Sequence, residues 1–432
     1  MPASPQETLP GPGILSGLRV IDCGTYIAGP AAATILSDFG AEVIKIERPP
    51  YGDPYRYLPQ VAGMPLSDVN YTWILDARNK KSVALDLSDA QARAALTKLI
   101  ASADIFITNY QPQLQRRFAL EYKDLAPLNP RLIYASVTGY GEHGDDAEKP
   151  GYDATAYWAR SGLMHSMHNG DAEPVQSPAG FGDHPTSVTL FASIMLALYQ
   201  RQLTGRGAKV RTSLMANGVW SHSCAIQAAL CGAEFLPKWT RKQAINPFVN
   251  HYVAADGRRI FLCLLDAAQD WPNLCAALDW PQHVLTDLRF NTAGARRANN
   301  VELIALLDEA IAKHDLAYWT RVLKEHDLVW GPVPSPAEVA ADPQLEANGV
   351  LAEIEPGLHH GLNRAGAQAP PVRAGMTGLK TVQNPINVEG IEKCAPKMAP
   401  EIGEHTREVL ASAGYSDDEI GAMIGRGAAM AR

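Results

Sequence analysis

The sequence predicts an α/β protein whose first half is a doubly wound, parallel sheet. "LRVIDCG" (18–24) is a short apolar run rich in β-branched residues, "PAAATILSDFG" (30–40) has helical spacing, and "AEVIKIE" (41–47) is a second strand. A strand, a helix and a strand in this order form a βαβ unit with parallel strands and a right-handed crossover.

Further strands extend the predicted sheet. "SVALDL" (82–87) and "ADIFITNY" (103–110) bracket a helix near residues 89–101, and "RLIYASVTGYG" (131–141) adds another strand. In a sheet of this kind, ligands bind at the carboxyl ends of the strands.

A long helix is expected to follow Asp183 and to stop near "LTGRG" (203–207), where two glycines break it. Steps of three and four residues place five apolar side chains on one buried helical face. These are Val188, Phe191, Ile194, Met195 and Leu198. "AKVRTSLM" (208–215) then reads as a strand.

The later part of the chain predicts a smaller unit. "HYVAADGRRIFLCLL" (251–265) is typical of a hairpin with its turn at Asp256-Gly257, and helices are expected near 299–314 and 316–327. Residues 223–245 have no strong period and are expected to link domains.

The end of the chain shows weaker patterns. The proline-rich stretch 329–344 is expected to leave the smaller unit, and the loop-rich stretch 355–400 precedes a final helix at 403–413.

Composition limits the classes of partner. The 432 residues are 46% hydrophobic and 19% charged, as in a folded protein of two or three domains. The formal net charge of −8 makes nonspecific nucleic-acid binding an unlikely function of the surface, so no nucleic-acid partner is expected.

The pattern of cysteine and apolar residues favours a cytoplasmic location. The six cysteines are scattered with no CxxC pair, which is typical of reduced thiols and gives no structural metal site. The N-terminus lacks a signal peptide, and no run reaches the about 18 apolar residues of a membrane span. We therefore expect neither a metal nor a membrane partner.

The stretch "AGFGDHPTS" (179–187) places Asp183 and His184 at the start of the long helix. Asp183 has two interpretations: a helix N-cap that accepts hydrogen bonds from backbone amides, or a catalytic carboxylate. A carboxylate is a weak nucleophile, so catalysis would need tight positioning and exclusion of water. Free N–H groups at the helix start favour nearby negative charge.

A dinucleotide site is a competing interpretation of the first βαβ unit. Glu47 ends the second strand, as the ribose-binding acid of such a site does. However, the turn after the first strand reads "GTYIAGP" (24–30) and lacks the GxGxxG pattern. NAD binding is therefore disfavoured.

An ordered set of stretches resembles the family III CoA-transferases, also called the CaiB/BaiF family. The resemblance covers nearly the whole chain. The stretches are 15–49, "NKKSVALDL" (79–87), "LNPRLIYASVTGYG" (128–141), "GYDATAYWARSGLM" (151–164), "GD" (182–183), "TGRGAKV" (204–210) and "APEIGEHTREVL" (399–410).

The resemblance implies a CoA-transferase in which Asp183 is the nucleophile. Its carboxylate would attack an acyl-CoA thioester to give a mixed anhydride, then carry CoA as an aspartyl thioester until a carboxylic acid accepts it. The substrates are then an acyl-CoA donor, for which we expect succinyl-CoA or another short acyl-CoA, and a carboxylic acid. No tightly bound cofactor is implied.

The resemblance also implies where coenzyme A binds. Tyr26, Ile27 and Ala28 would lie along the bound cofactor, and cations would bind its phosphates. The cations are Arg48, Lys80 and Arg117, and Asn109 and Tyr110 close the strand beside them. The competing interpretation for each is an exposed surface charge or a core aromatic.

Two side chains beside the nucleophile bear on the type of reaction. His184 could orient the acceptor or tune Asp183, or it could only face solvent or a subunit contact. Tyr152 stands where the related α-methylacyl-CoA racemases have a catalytic histidine, so transfer is favoured over racemisation. The alternatives are a racemase-like enzyme and a catalytically silent CoA-binding subunit, which an intact Asp183 disfavours.

The implied architecture is a Rossmann-like large domain interrupted by a small one. We expect the large domain at 14–222, a linker and smaller α+β domain at 223–345, and a return segment at 346–432 that completes the large domain. By resemblance, two copies form an interlocked homodimer.

Overall fold

The computed structural model describes residues 13–170, 172–355 and 378–432. Within these ranges, no helix combines the length and the apolar character needed to cross a bilayer. Part of the predicted loop-rich stretch, 356–377, lies outside the described residues.

Strands occur along the whole described chain and are numbered in chain order. They are β1 (Arg19–Asp22), β2 (Glu42–Glu47), β3 (Lys80–Leu85), β4 (Ile105–Thr108), β5 (Ile133–Thr138), β6 (Lys209–Ser213), β7 (Val249–Val253), β8 (Arg259–Cys263), β9 (Trp330–Pro332), β10 (Leu351–Glu353), β11 (Lys380–Val382) and β12 (Ala429–Met430).

Helices alternate with these strands. They are α1 (Ala28–Asp38), α2 (Tyr71–Ala77), α3 (Ala90–Ala101), α4 (Pro112–Phe118), α5 (Tyr122–Leu125), α6 (Leu163–Ser166), α7 (Asp183–Thr204), α8 (Leu214–Ser221), α9 (Ser223–Leu230), α10 (Ala267–Ala277), α11 (Gln282–Leu285), α12 (Ala293–Ala298), α13 (Asn300–Ile311), α14 (Leu316–Glu325), α15 (Pro336–Ala340), α16 (Pro343–Ala347), α17 (Thr406–Ser412) and α18 (Asp417–Gly425). Short 3-10 turns span Pro54–Gln60 and Arg241–Gln243, and a π-helix spans Asp153–Ala159.

A seven-stranded sheet forms the centre of the first compact unit, in the order β12-β3-β2-β1-β4-β5-β6. All its neighbours are parallel except β12, which runs antiparallel to β3. The α/β fold with a largely parallel sheet is thus confirmed. The strand order reverses between β1 and β4, and such a reversal opens a crevice at the carboxyl ends of the two strands.

Alternation along the strands builds a core on each face of this sheet. Neighbours such as Val20 and Ile21 in β1 point to opposite faces, as the pleat requires. Ile21 joins a core with side chains of α3, α17 and α18, while Val20 joins one with side chains of α1 and α7. Both faces are covered, which explains why β1 and β2 read as nearly continuous apolar runs.

Charged side chains lie buried at the carboxyl ends of the central strands. Lys80 Nζ is 2.9 Å from Asp22 Oδ2 and donates to the carbonyl of Pro30 at 2.7 Å. Lys45 Nζ is 2.8 Å from Asp53 Oδ2 and 3.8 Å from Asp22 Oδ1. Each of these buried groups faces an opposite charge, which offsets part of the cost of removing it from water.

The second compact unit contains residues 165–175 and 228–345. Its sheet has the order β7-β8-β9, all antiparallel, and its core includes side chains of α10, α13 and α14. The predicted hairpin is confirmed by β7 and β8, with Gly257 in the left-handed region at φ 79°. The first unit contains the remaining described residues.

The later part of the chain contains elements that the sequence patterns did not reveal. Residues 223–245 were expected to link domains, but they begin with helix α9. β9 occurs inside the proline-rich stretch and pairs with β8. The helix expected to be final is α17, and α18 and β12 follow it. The strands β9 and β12 have only three and two residues, too few to show a hydrophobic period in the sequence.

The buried Lys80–Asp22 pair generates a stability prediction. We expect Lys80→Met to destabilise the protein by about 3 kcal/mol, because Asp22 keeps its buried charge but loses its nearest cation. Urea-induced unfolding measures the loss.

The matched control is Lys123→Met, which removes an exposed lysine paired with Glu121 and should leave the unfolding midpoint unchanged. Equal midpoints for the two variants would contradict the structural role of Lys80.

Candidate active site

Asp183 is the first residue of α7, and its side chain lines a cavity at the carboxyl ends of the central strands. The N-cap interpretation of this residue is wrong: Gly182 occupies the cap position. Within the described ranges, no side chain or amide donates a hydrogen bond to the Asp183 carboxylate. The carboxylate is therefore free of local partners and open to a ligand.

Each of the three residues before Asp183 is restricted, by its backbone conformation or by packing against an aromatic ring. Gly180 adopts a left-handed φ of 76°, which favours glycine. The Phe181 ring packs edge-on against Trp158, with ring centroids 5.4 Å apart. Gly182 lies so close to the Tyr157 ring that an added Cβ would be 2.4 Å from it. Little backbone movement is therefore available to the residue that carries the carboxylate.

The cavity has a volume of about 530 Å³ and opens at the reversal point between β1 and β4. This volume is within the range of small-molecule sites. The turn after β1 and the start of α1 contribute Thr25–Ala28, and the segment after β4 contributes Asn109–Pro112. Thr138, the last residue of β5, and Gly139 also line the cavity. The sequence prediction of Tyr26, Ile27, Ala28, Asn109 and Tyr110 therefore concerns residues that share one cavity.

The turn after β1 is strained and cross-linked. Tyr26 has φ 61°, a conformation that non-glycine residues rarely adopt. Its amide donates to Asp53 Oδ1 at 3.0 Å. Asn109 accepts from the Thr25 amide at 2.8 Å and donates to the Thr25 carbonyl at 2.7 Å. These bonds fix the turn against β4, so the cavity wall is largely preformed.

Two tyrosine rings form part of the cavity wall above this turn. Tyr26 and Tyr152 pack edge to face with centroids 5.7 Å apart. Tyr152 is 57% exposed, so much of its ring remains available to a ligand. The wall here offers aromatic surface, and no imidazole is part of it among the residues that the structure describes.

The electrostatic surroundings of Asp183 favour a basic carboxylate. Burial, together with the negative charges of Asp153 and Asp76, raises its pKa to about 7, and the positive charge of His184 partly opposes this rise. Asp153 Oδ2 also accepts from the Gly182 amide at 3.3 Å, so the second carboxylate is fixed close to the first. Asp183 is then about half ionised near neutral pH.

The His184 ring is held by oxygen atoms at both of its nitrogens. Its Nε2 lies 3.2 Å from Asp76 Oδ1, and its Nδ1 lies 3.1 Å from the Gly180 carbonyl oxygen. Burial lowers the pKa of the imidazole, but the charge of Asp76 and its hydrogen bond outweigh burial and raise that pKa to about 9.

The three predicted phosphate ligands do not line the cavity. Lys80 is buried against Asp22, so its ammonium is not available to a ligand. Arg48 and Arg117 are exposed, and Arg117 lies 5.4 Å from the Phe118 ring centroid. Among the described residues, the cation in the cavity wall is Lys149, whose ammonium is 3.8 Å from Asp146.

Sequence reasoning missed Lys149, Asp153 and Asp76. Asp153 directly follows Tyr152 in the stretch "GYDATAYW" (151–158), so its proximity to Tyr152 is a signal that could have identified it. Lys149 lies in an irregular segment and Asp76 in a short helix, and neither has a pattern that indicates a site.

Most of the chain is similar to one enzyme family. The family model described as CoA-transferase family III matches residues 15–406. (R)-2-hydroxy-4-methylpentanoate CoA-transferase of Clostridioides difficile is 32% identical over 94% of this chain and 97% of its own length. Succinyl-CoA:glutarate CoA-transferase of Mus musculus is 30% identical over 92% of this chain and 85% of its own.

A solved structure supports the same grouping. The crystal structure of a CaiB/BaiF family protein from Brucella suis superposes with a TM-score of 0.78 at 27% identity, covering 93% of this chain and all of that one (100%).

The close packing of Gly182 generates a prediction about the site. Gly182→Ala should lower kcat/KM by about tenfold or more, because the new methyl must displace the Tyr157 ring or the start of α7 and so move Asp183. Steady-state kinetics with an acyl-CoA donor measure this loss.

Gly421→Ala is the matched control, since it adds the same methyl within helix α18, where no described atom beyond the adjacent helix backbone lies within 4 Å of the new Cβ. A Gly182→Ala enzyme as active as the control would show that this contact does not position Asp183.

Proposed function

The chain belongs to CoA-transferase family III, and we propose that it moves coenzyme A from an acyl-CoA to a carboxylic acid through a covalent bond to Asp183. The observation that carries this mechanism is the Asp183 carboxylate itself. It lines the cavity at the sheet's reversal point, has no hydrogen-bond donor among the described residues, and begins a long helix.

The proposed reaction has four balanced steps. An Asp183 oxygen attacks the thioester carbonyl, the C–S bond breaks, and CoA leaves as a thiolate. The thiolate attacks the aspartyl carbonyl of the mixed anhydride, which releases the donor acid and leaves an aspartyl-CoA thioester. The acceptor carboxylate then attacks this thioester and releases the thiolate. The thiolate finally attacks the acceptor's acyl carbon, which regenerates Asp183.

The raised pKa of Asp183 suits the first step. A more basic carboxylate is a better nucleophile, provided that a useful fraction is ionised at the working pH. The amides at the start of α7 favour negative charge near Asp183, including the charge that develops on a tetrahedral oxyanion. Burial of Asp183 and the absence of hydrogen-bond donors to its carboxylate would therefore both favour nucleophilic attack.

We propose that the turn Tyr26–Ala28 and the pair Asn109 and Tyr110 line the path of the pantetheine arm. Lys149 is the phosphate ligand that best fits the cavity, because its ammonium is in the wall and only loosely paired with Asp146. Arg48 and Arg117 remain candidates for an outer part of the cofactor. Lys80 instead stabilises Asp22.

Racemisation is the less favoured activity. It needs acid and base groups at the α-carbon, and Tyr152 offers a phenol where the related racemases have an imidazole. His184 does not replace that imidazole, because both of its nitrogens already contact oxygen acceptors. A silent CoA-binding subunit is disfavoured by the free carboxylate of Asp183.

We also propose that the enzyme works as the interlocked homodimer. Apolar side chains on α7 and α8 are more than half exposed in the single chain, which is typical of a surface that another subunit covers. They are Leu196, Tyr199, Leu203 and Trp220. A second copy is the proposed occupant of this surface.

The donor and acceptor are proposed by chemical class. One relative is named for succinyl-CoA and glutarate, and another, from Clostridium sporogenes, for cinnamoyl-CoA and phenyllactate. We propose succinyl-CoA or another short acyl-CoA as donor here. A panel of carboxylic acids assayed with succinyl-CoA identifies the acceptor by the new acyl-CoA formed.

Replacement of the nucleophile tests the proposed mechanism. Asp183→Ala should lower the transfer rate by about a thousandfold or more, because no covalent carrier remains. Hydroxylamine added during turnover should convert residue 183 of the native enzyme, but no site of the variant, to a hydroxamate detectable by peptide mass.

Asp417→Asn is the control, since Asp417 is likewise the first residue of a helix, α18, and is exposed. Full transfer activity in Asp183→Ala would contradict covalent catalysis at this residue, and so would an adduct at any other residue.

The pKa of Asp183 predicts the pH dependence of the native enzyme. Because only the ionised carboxylate attacks, kcat/KM should fall about tenfold per pH unit below about pH 7. Initial rates across this range measure the acid limb, and samples returned to neutral pH should regain full activity. An acid limb near pH 4, the ordinary carboxyl range, would contradict the raised pKa.

A further inference from the structure

His184 lies between two oxygen acceptors. Its Nδ1 is 3.1 Å from the Gly180 carbonyl oxygen, and its Nε2 is 3.2 Å from Asp76 Oδ1. A carbonyl oxygen cannot donate a hydrogen bond, and neither can an ionised carboxylate. Both contacts are hydrogen bonds only when both ring nitrogens carry protons, so this geometry favours the imidazolium.

The contacts of Asp76 favour an ionised carboxylate that can bind the His184 imidazolium. Its side chain is buried, and its second oxygen, Oδ2, accepts from the Tyr55 hydroxyl at 2.5 Å. Burial opposes ionisation of Asp76, but the His184 charge and the hydrogen bonds outweigh burial and lower the carboxyl pKa. Tyr55 is also buried, so the three side chains form a fixed row from the interior to the nucleophile.

We propose that His184 is a positioning residue of the transfer reaction: Asp76 holds its imidazolium against Gly180, which fixes the turn before Asp183 and places a positive charge beside the nucleophile throughout the neutral pH range. This inference rests on the proposed function, because it assumes that Asp183 reacts as a carboxylate. The Gly180 carbonyl accepts from both the ring and the amide of His184, the latter at 3.2 Å.

The charge matters because carboxylates surround Asp183. Asp153 faces it from the π-helix and Asp76 from α2, and both disfavour its ionisation. Tyr55, from the 3-10 turn, is neutral because burial and Asp76 raise its pKa. His184 is the cation that opposes this field, and Asp76 keeps it charged across the neutral range.

Removing the charge but not the hydrogen-bonding capacity tests the proposal. His184→Gln should move the acid limb of kcat/KM to higher pH by about one unit, because an opposite charge nearby lowers a carboxyl pKa by that order or more. We expect a shift of only about one pH unit, and not more, because the His184 side chain is 42% exposed and solvent screens its charge. At pH 6 the variant should be about tenfold slower than the native enzyme, and the difference should shrink above pH 8.

His184→Lys is the rescue variant, because it restores a positive charge at the same position. Its acid limb should return toward the native value even if kcat stays low. His143→Gln is the control: His143 is exposed and outside the cavity wall, so its pH profile should match the native one. A purely structural role for His184 would lower activity equally at every pH.

A measurement on the native enzyme covers the case in which the variants fail to fold. In ¹⁵N-histidine spectra, one ring should keep the pattern of two protonated nitrogens at pH 8 and titrate near pH 9. The absence of any such ring would overturn the inference.

The outcomes separate the two proposals. An unchanged acid limb in His184→Gln, with Asp183 still essential, would overturn the role of His184 and leave the proposed function intact. Full activity in Asp183→Ala would overturn both.

Discussion

A continuous row of polar contacts connects the centre of the sheet to His184, the neighbour of Asp183, and the geometry of the candidate site depends on it. Lys45, inside β2, binds Asp53, and Asp53 in turn accepts from the amides of Tyr26 and Tyr55 at 3.0 and 2.9 Å. The Tyr55 hydroxyl then binds Asp76, which binds His184. Each buried charge has a partner, so the row fixes geometry without leaving an ion unpaired.

This row explains how the strained turn at Tyr26 persists close to the Asp183 carboxylate. Tyr26 keeps its left-handed backbone because Asp53 and the Thr25–Asn109 pair hold it from both sides. Asp183, by contrast, is left without hydrogen bonds among the described residues, in a field of two carboxylates and one imidazolium. The groups that fix the turn and His184 make hydrogen bonds, whereas the Asp183 carboxylate accepts none among the described residues.

Apolar periodicity and strand order predicted the parallel sheet and the long helix, and they placed ligands at the carboxyl ends of the strands. The particular cavity residues after β1 and β4 were named from the family resemblance. The sequence did not predict which charged side chains are buried or which partners they contact. In β3, alternation turns Lys80 inward to Asp22 and Lys81 outward to Glu42, but nothing in "NKKS" tells which lysine is buried. The contribution of Asp76 depends on tertiary contacts with Tyr55 and His184 that no local pattern encodes.

The most direct measurement of the covalent role follows oxygen atoms. Each proposed turnover transfers one carboxylate oxygen of the acceptor acid to Asp183, because that oxygen bridges the second anhydride and stays on the aspartate when the thiolate attacks the acyl carbon. Turnover of succinyl-CoA with an acceptor acid labelled with oxygen-18 should therefore make the peptide that contains Asp183 heavier. Transfer of coenzyme A without label in that peptide would contradict the account.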